Sequence, residues 1–416
     1  MTDSLRTAAA AHDDLLTRRL DTLVPMLMER AGLDAWIVAA REYNEDPVLR
    51  TMLPATWLAT ARRRTILLFL RNGTAVERMA VARYAVGSAF PAQWDPETQP
   101  DQWGRLATLL DEADPDRIGI DSSKVFPLAD GLSASEHAAL LAALPERLRG
   151  RLTDATAAAI GWLETRLPDE IADLSRACAT AHGLLRRALS DEVITPDRTT
   201  TKDVEWWLRD AVHAAGFGSW FHPTVSVQRR GGAARSGFAT PPGDEVIDRG
   251  ALVHIDFGIV RHWLCTDQQQ HAYVLLPGEA ATPEGLQAGL AVANRLQDLL
   301  MAEFVAGRTG NDILRTTRNA ADASGIDGLI YTHAIGMHGH AAGPTIGLWD
   351  QQEGVPGPGD YPLWPDTAHS IELQARVPIP EWDGQVVQLM LEEDAWFDGT
   401  TCRFLDGRQT ELWVVE

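Results

Sequence analysis

The chain has 416 residues, too long for one typical domain, and its 45% hydrophobic and 23% charged composition excludes a disordered or fibrous protein. Lys and Arg number 37 against 58 Asp and Glu, a formal net charge of −21 that argues against nucleic-acid and anionic-membrane partners. Cys178, Cys265 and Cys402 lie far apart with no CxxC pattern, so reduced thiols are expected rather than a zinc ribbon or disulfide framework.

In chain order, the start MTDSLRTAAAAHDDLLTRRLD carries acids where a signal peptide needs a basic and then an apolar stretch. Further on, nothing approaches the roughly 18 apolar residues of a membrane span. A soluble cytoplasmic protein is expected. Leu16, Leu20, Leu23 and Leu27 recur at helical spacing up to Gly32, which predicts an amphipathic helix in spite of Pro25. Residues 35–40 (AWIVAA), 65–70 (TILLFL) and 117–120 (RIGI) read as buried strands, so residues 1–160 are expected to form a small α/β domain. Pro168 opens a second helical pattern, with Ile171, Leu174, Cys178, Ala181 and Leu185 on one face. A third helix is expected from Thr200, capped by Thr200 and Asp203, to about Gly216. Residues 251–258, 271–276, 370–377 and 385–391 then read as strands, with a helix over 288–305. Residues 161–416 are therefore expected to be an α+β domain. The QQQ at Gln268–Gln270 stands out as a short compositional bias.

Acids and histidines in this second half fall on predicted strands, where a lone charge is costly to bury. Asp256 sits in LVHIDFG and Asp267 eleven positions later, so a hairpin would set the two carboxylates side by side. Glu372 (SIELQARV) and Glu392 (VQLMLEED) lie at the ends of two strands that a second hairpin would join. Each like-charge pair at about 4 Å costs roughly 1–4 kcal/mol at effective dielectrics of 80 to 20, so four buried carboxylates need positive charge. Two divalent cations would supply it, and the oxygen-rich set with one imidazole suits Mn, Co, Fe or Zn. His333, in YTHAIGMHGHAAGPT, is the natural imidazole, with His340 seven positions on. The Gly-rich GMHGHAAG lacks the Lys and Ser or Thr of a phosphate loop.

These motifs, in this order, resemble the pita-bread metallopeptidase family, which includes aminopeptidase P, prolidase, methionine aminopeptidase and creatinase. The family's ligand order is Asp, Asp, His, Glu, Glu, with the two Asp about eleven apart. HIDFG, CTDQQQ, THAIGMHGH, SIEL and LEED supply Asp256, Asp267, His333, Glu372 and Glu392. The LEE doublet leaves Glu393 as a competitor for the last position, and Glu392 is preferred because the following ED falls where the family has acidic residues. The resemblance extends over nearly the whole chain, and residues 16–160 resemble a creatinase-type N-terminal domain. It implies a pita-bread catalytic domain, two divalent metal ions with manganese first and cobalt, zinc or iron as alternatives, and a homodimer. By position, Glu372 would be both ligand and acid/base, and His340 would contact the substrate carbonyl. His338 and His222 are further candidates for touching substrate. The chain departs from the family in four places. The segment QRRGGAARSGFATPPGDEV (228–246) offers no histidine, Gln270 replaces an Arg, Ala341 replaces an acid, and Leu329 stands where proline-specific members carry a histidine.

The expected function is thus a dinuclear metal-dependent hydrolase, of Xaa-Pro aminopeptidase or dipeptidase type, cleaving a short peptide or amide by a metal-bridged hydroxide. The alternative is a specialised member acting on a non-peptide small molecule, an amidinohydrolase or lyase with a possible biosynthetic role. A non-catalytic binding protein is less favoured, because all five ligand positions are filled.

Overall fold

A computed structural model describes residues 4–232 and 243–416. The histidine-free segment 228–246 therefore lies partly outside the described residues. The chain divides into two compact units, Met1–Leu163 and Glu164–Glu416.

The first unit is a five-stranded mixed sheet of β1 (Ala35–Arg41), β2 (Arg64–Asn72), β3 (Ala75–Val81), β4 (Ile118–Ile120) and β5 (Leu152–Asp154), in the order β3-β2-β1-β4-β5. β1 runs antiparallel to β2 and parallel to β4, so the connection to β4 carries helices that cover the sheet. Helix α1 (Leu5–Ala31) buries Leu16, Leu20, Leu23 and Leu27 and ends on Gly32 at φ 64°, a left-handed C-cap that glycine adopts without strain. Helices α2 (Gln102–Ala113) and α3 (Ala134–Ala143) pack Leu106, Leu110 and Leu140 into the core with Ile37, Ile66 and Ile118. The sequence patterns pointed to β1, β2 and β4. β3 (AVERMAV) carries charges on its half-exposed outer end, and β5 has three residues, so neither forms an apolar run.

This unit holds a buried carboxyl pair of its own, which no sequence motif marks. Asp46 caps a short helix, its Oδ1 accepting from the N–H groups of Val48 (2.7 Å) and Leu49 (3.0 Å). Asp121, 1% exposed, accepts from Trp36 Nε1 at 2.8 Å. Burial raises both pKa values: Asp46 to about 6, and Asp121 well above the carboxylate range because the Asp46 charge adds to desolvation. An acid whose folded pKa is raised holds its proton better folded than unfolded, so its contribution is present at low pH and lost as pH rises through the folded value. Asp121→Asn is therefore expected to be more thermostable than the parent at pH 8, with the gap closing toward pH 4. Each tenfold change in proton affinity between the folded and unfolded chain corresponds to about 1.4 kcal/mol. Thermal unfolding across that pH range checks this, and a pH-independent difference would count against it.

The second unit is built from two α/β halves. In the first, α4 (Pro168–Ala188) and α5 (Thr201–Ala214) pack on a sheet of β6 (Thr224–Gln228), β7 (Leu252–Phe257), β10 (Gln268–Val274) and β18 (Trp413–Val415), in the order β18-β10-β7-β6. Glu170 secures the start of α4 by accepting from the Leu167 N–H at 2.8 Å, and Thr200 with Asp203 forms the capping box of α5. In the second half, α6 (Glu284–Met301) and α7 (Gly310–Ala323) pack on β11 (Gly328–Ile330), β14 (Leu373–Ile379) and β15 (Gln385–Leu391). A third sheet orders β12 (His333–Ile335), β13 (Thr367–Ser370), β16 (Asp394–Phe397) and β17 (Cys402–Phe404), and β8 (Val260–Arg261) with β9 (Leu264–Cys265) makes a small hairpin.

Three connections cross from one sheet to another at the same level. Ile330, Leu373 and Leu391 are cross-strand neighbours in the sheet β11-β14-β15, while His333, Ser370 and Asp394 are neighbours in the sheet β12-β13-β16. The intervening residues, 331–332, 371–372 and 392–393, form a seam where the backbone ladder is interrupted. Side chains at such breaks are released from strict alternation. The predicted strand 370–377 is accordingly two strands, broken at Ile371 and Glu372.

Candidate metal centre

The five carboxylate and imidazole positions meet at the seam. Glu372 occupies the β13–β14 break and Glu392 the β15–β16 break. His333 opens β12, Asp256 is the penultimate residue of β7, and Asp267 immediately precedes β10. Three overlapping groups have ligand atoms within 4.8 Å of one another: Asp256, Asp267 and Glu392; His333, Glu372 and Glu392; and Asp267, His333 and His340. Asp267, His333, Glu372 and Glu392 are 3%, 5%, 6% and 1% exposed. Asp256 and Asp267 do come side by side: Asp256 pairs across the sheet with Gln269, and the β8–β9 excursion between the two strands leaves Asp267 next to it.

The surroundings hold these groups in place. Asp394 Oδ2 accepts from the Asp267 N–H (3.1 Å), Gln268 Nε2 (3.2 Å) and the Cys178 thiol (3.4 Å). The Glu372 carbonyl accepts from the Tyr331 N–H and the Thr332 hydroxyl, both at 3.0 Å. Ser370 Oγ donates to Glu392 Oε1 at 2.5 Å. His333 Nδ1 lies 2.9 Å from the Ala334 carbonyl, which can only accept, so Nδ1 carries a proton while Nε2 faces inward. Nε2 is 3.4 Å from Glu392 Oε1 and 3.9 Å from Asp267 Oδ2.

Nε2 makes no hydrogen bond to either carboxylate, and carboxylates that converge repel one another unless a cation lies among them. His333 Nε2 and Asp267 Oδ1 are buried with no hydrogen-bond partner among the described residues. Burial, then the neighbouring Glu392, Asp256 and Glu372, hold Asp267 far above the usual carboxylate range. Glu372 is raised by burial, Glu392 and Asp256. The donor set of oxygens and imidazole fits a divalent cation.

Two adjacent acids divide their roles. Glu392 joins the cluster, whereas Glu393, one residue on, turns to His182 (Nε2 to Oε2, 2.6 Å), Gln270 (Nε2 to Oε1, 2.9 Å) and the Gln409 N–H. The second nitrogen of His182 lies 2.7 Å from Asp406 Oδ2. His340 stands at the open edge of the cluster, its ring 4.7 Å from that of His333 and 5.3 Å from that of Trp220. Partial burial first, and His333 second, push it down to about 4, so it is neutral near pH 7. Trp220 and Tyr331 are neighbours of His340 that sequence motifs did not single out. The nearest signal for Trp220 is glycine: a Cβ at Gly339 would fall 2.4 Å from its indole ring, and one at Gly258 would fall 2.7 Å from its Nε1. His222 engages Glu205 (3.2 Å) and Trp206 and is absent from the ligand groups, as is His338. Cys265 is buried, with its thiol pushed up to about 12 by burial and then by Asp394.

Residues 172–395 match the sequence profile of metallopeptidase family M24. No curated protein matches. Among solved structures, the X-Pro aminopeptidase from Thermotoga maritima MSB8 superposes with a TM-score of 0.63 at 18% identity, covering 93% of this chain and 99% of that one. The Xaa-Pro dipeptidase from Bacillus anthracis gives 0.62 at 16% identity, covering 96% and 99%. The N-terminal domain of FACT complex subunit SPT16 from Cicer arietinum gives 0.56 at 12% identity, covering 100% of both chains. The chain belongs to metallopeptidase family M24, with that family's pita-bread fold, and is a hydrolase of the peptidase type. Because proteins named for peptidase activity and a FACT subunit share the fold, the specific chemistry has to be read from the site. No helix among the described residues is long and apolar enough to cross a membrane.

The His182 arrangement carries a pH signature. Burial opposes its charge, but Glu393 and Asp406 outweigh burial and raise it to about 9. For a base with a raised folded pKa, the stabilisation is complete below the unfolded value of about 6.5 and disappears as pH rises through about 9. His182→Gln is expected to cost about 3 kcal/mol at pH 6, as for a broken buried ion pair, and much less at pH 9.5. Denaturant unfolding at the two pH values checks this; equal losses at both would contradict it.

Proposed function

We propose that the chain is a divalent-metal-dependent hydrolase in which Asp256, Asp267, His333, Glu372 and Glu392 hold two ions, manganese first and cobalt, zinc or iron as alternatives. Its substrate class is a short peptide or amide with a free N-terminus, cleaved in the manner of an Xaa-Pro aminopeptidase or dipeptidase. The observation that carries this reading is the inward-facing Nε2 of His333, which lacks a hydrogen-bond partner among the described residues and sits amid four carboxylates. When bound, divalent cations would supply Lewis-acid polarisation of the scissile carbonyl and activation of water at neutral pH.

The protein's own groups divide the remaining work. Glu372, buried at the β13–β14 break within the cluster, is placed to take a proton from the attacking water and return it to the leaving amine. His340, neutral near pH 7, can donate a hydrogen bond to the carbonyl oxygen as charge develops there. Trp220 and Tyr331 flank it, their ring centroids 5.3 and 6.1 Å from that of His340. The assembly we propose is a homodimer, on family resemblance.

A second reading keeps the fold and the metal and changes the substrate to a non-peptide small molecule. Leu329 in place of the proline-specific histidine and Gln270 in place of the Arg favour it. A panel of Xaa-Pro dipeptides and tripeptides with added Mn, Co or Zn separates the two. Turnover supports the peptidase reading, and no turnover by protein with full metal content moves the assignment to the second.

Asp267→Ala and His333→Ala are each expected to abolish bound metal, measured by elemental analysis, together with turnover. Full activity in metal-stripped protein would overturn the reading. His340→Ala is expected to keep the metal and lose about 100- to 1000-fold in kcat, the usual cost of one oxyanion donor.

A further inference from the structure

Gln269, the middle of the three glutamines, is 1% exposed and lies in the middle of the carboxylate set. Its Cα partner on β7 is Asp256, and on its other side it forms a bridge with Glu392, the Gln269 N–H donating to the Glu392 carbonyl at 2.9 Å. Directly opposed residues in a sheet share a face, and Asp267, two residues earlier, shares it too. The row Asp256, Gln269, Glu392 thus presents an amide between two acids.

The amide is fully used. Nε2 donates to Glu372 Oε1 and to Glu392 Oε2, each at 2.7 Å, and Oε1 lies 3.0 Å from His254 Nε2. A primary amide has two N–H donors, and here each goes to a different glutamate, so its carbonyl must face His254. His254 then carries its proton on Nε2 and presents Nδ1 to the Ser226 hydroxyl, 3.5 Å away. Charge-assisted bonds of this kind are among the stronger ones available in a protein interior. One oxygen of each glutamate is committed to the amide, while the other oxygen of Glu392 is the one 3.4 Å from His333 Nε2.

Resting on the metallohydrolase reading above, we infer that Gln269 is a positioning residue: through one amide, oriented by His254, it fixes the separation and rotation of Glu372 and Glu392 and selects which oxygen of each is presented to a cation. It binds no substrate and acts only through the two glutamates. Ser226, His254 and Gln269 form one hydrogen-bonded line from the far edge strand β6 to the ligands.

The test uses the full chain. Gln269→Leu is close in volume and removes both donors, and His254→Gln perturbs only the orientation of the amide. Mn²⁺ affinity by titration calorimetry is expected to fall about ten- to hundredfold in Gln269→Leu, the usual effect of losing a partner that orients a ligand. A smaller loss in the same direction is expected for His254→Gln. The visible absorption of the Co²⁺-loaded protein is expected to shift in both, because the angle of the glutamate oxygens sets it and a merely packing role would leave it unmoved. Wild-type affinity and an unchanged Co²⁺ spectrum in folded Gln269→Leu would overturn the inference while leaving the metallohydrolase reading intact. Failure of the unaltered chain to bind either ion would overturn both. If Gln269→Leu does not fold, an unchanged spectrum and affinity in His254→Gln overturns the inference.

Discussion

The concentration of negative charge at the seam is the constraint around which the second unit is organised. Asp256, Asp267, Glu372 and Glu392 are brought together where water is largely excluded, and the inward-facing Nε2 of His333 joins them without a hydrogen-bond partner among the described residues. No arrangement of this kind is stable as bare ions, because each carboxylate loses hydration and gains like-charged neighbours. The protein answers with directed donors: the Gln269 amide, the Ser370 hydroxyl, and the peptide and amide N–H groups that reach Asp394. These donors partly compensate the charge and leave His333 Nε2 and Asp267 Oδ1 unsatisfied, which are the atoms a cation would complete.

Placing the five clustered side chains at strand ends follows from the same constraint. A side chain within a continuous ladder must alternate between faces, so adjacent residues cannot serve one point. Where a strand leaves one sheet and enters another, this rule relaxes, and the three crossings at one level bring Thr332, Glu372 and Glu392 into a single layer. The split between Glu392 and Glu393 is the sharpest expression of this geometry. One acid faces the cluster and its neighbour faces His182, so the chain needs two separate neutralising systems a residue apart.

Much of this was legible in the sequence because periodicity and unusual burial signals coincided. Helices α4 and α5 were announced by their caps and apolar stripes, and the clustered carboxylates by acids set into apolar strand patterns. The start of β10 was obscured: a strand is predicted from His271, but Gln268 to Gln270, which begin it, are polar yet almost wholly buried, which reverses the usual relation between polarity and exposure. The glutamines read as compositional bias turn out to be the hydrogen-bonding layer behind the metal centre. α7 escaped because its buried side chains, Ile313, Leu314, Thr317 and Ala321, are few and include a threonine. Trp220 and His182 could not have been found by motif, since each matters through partners distant in sequence: Gly339 for one, Glu393 and Asp406 for the other.

The order in which the seam is threaded has a consequence for biosynthesis. Its contributors run from Asp256 on β7 to Glu392 before β16, with His333 and Glu372 on elements between them. During translation, a chain that has emerged only as far as β12 carries both aspartates and the histidine but neither glutamate, and the edge of β10 awaits β18. A chain that stops before β13 thus lacks two of the five clustered groups and leaves the β10 edge of its sheet without the β18 partner.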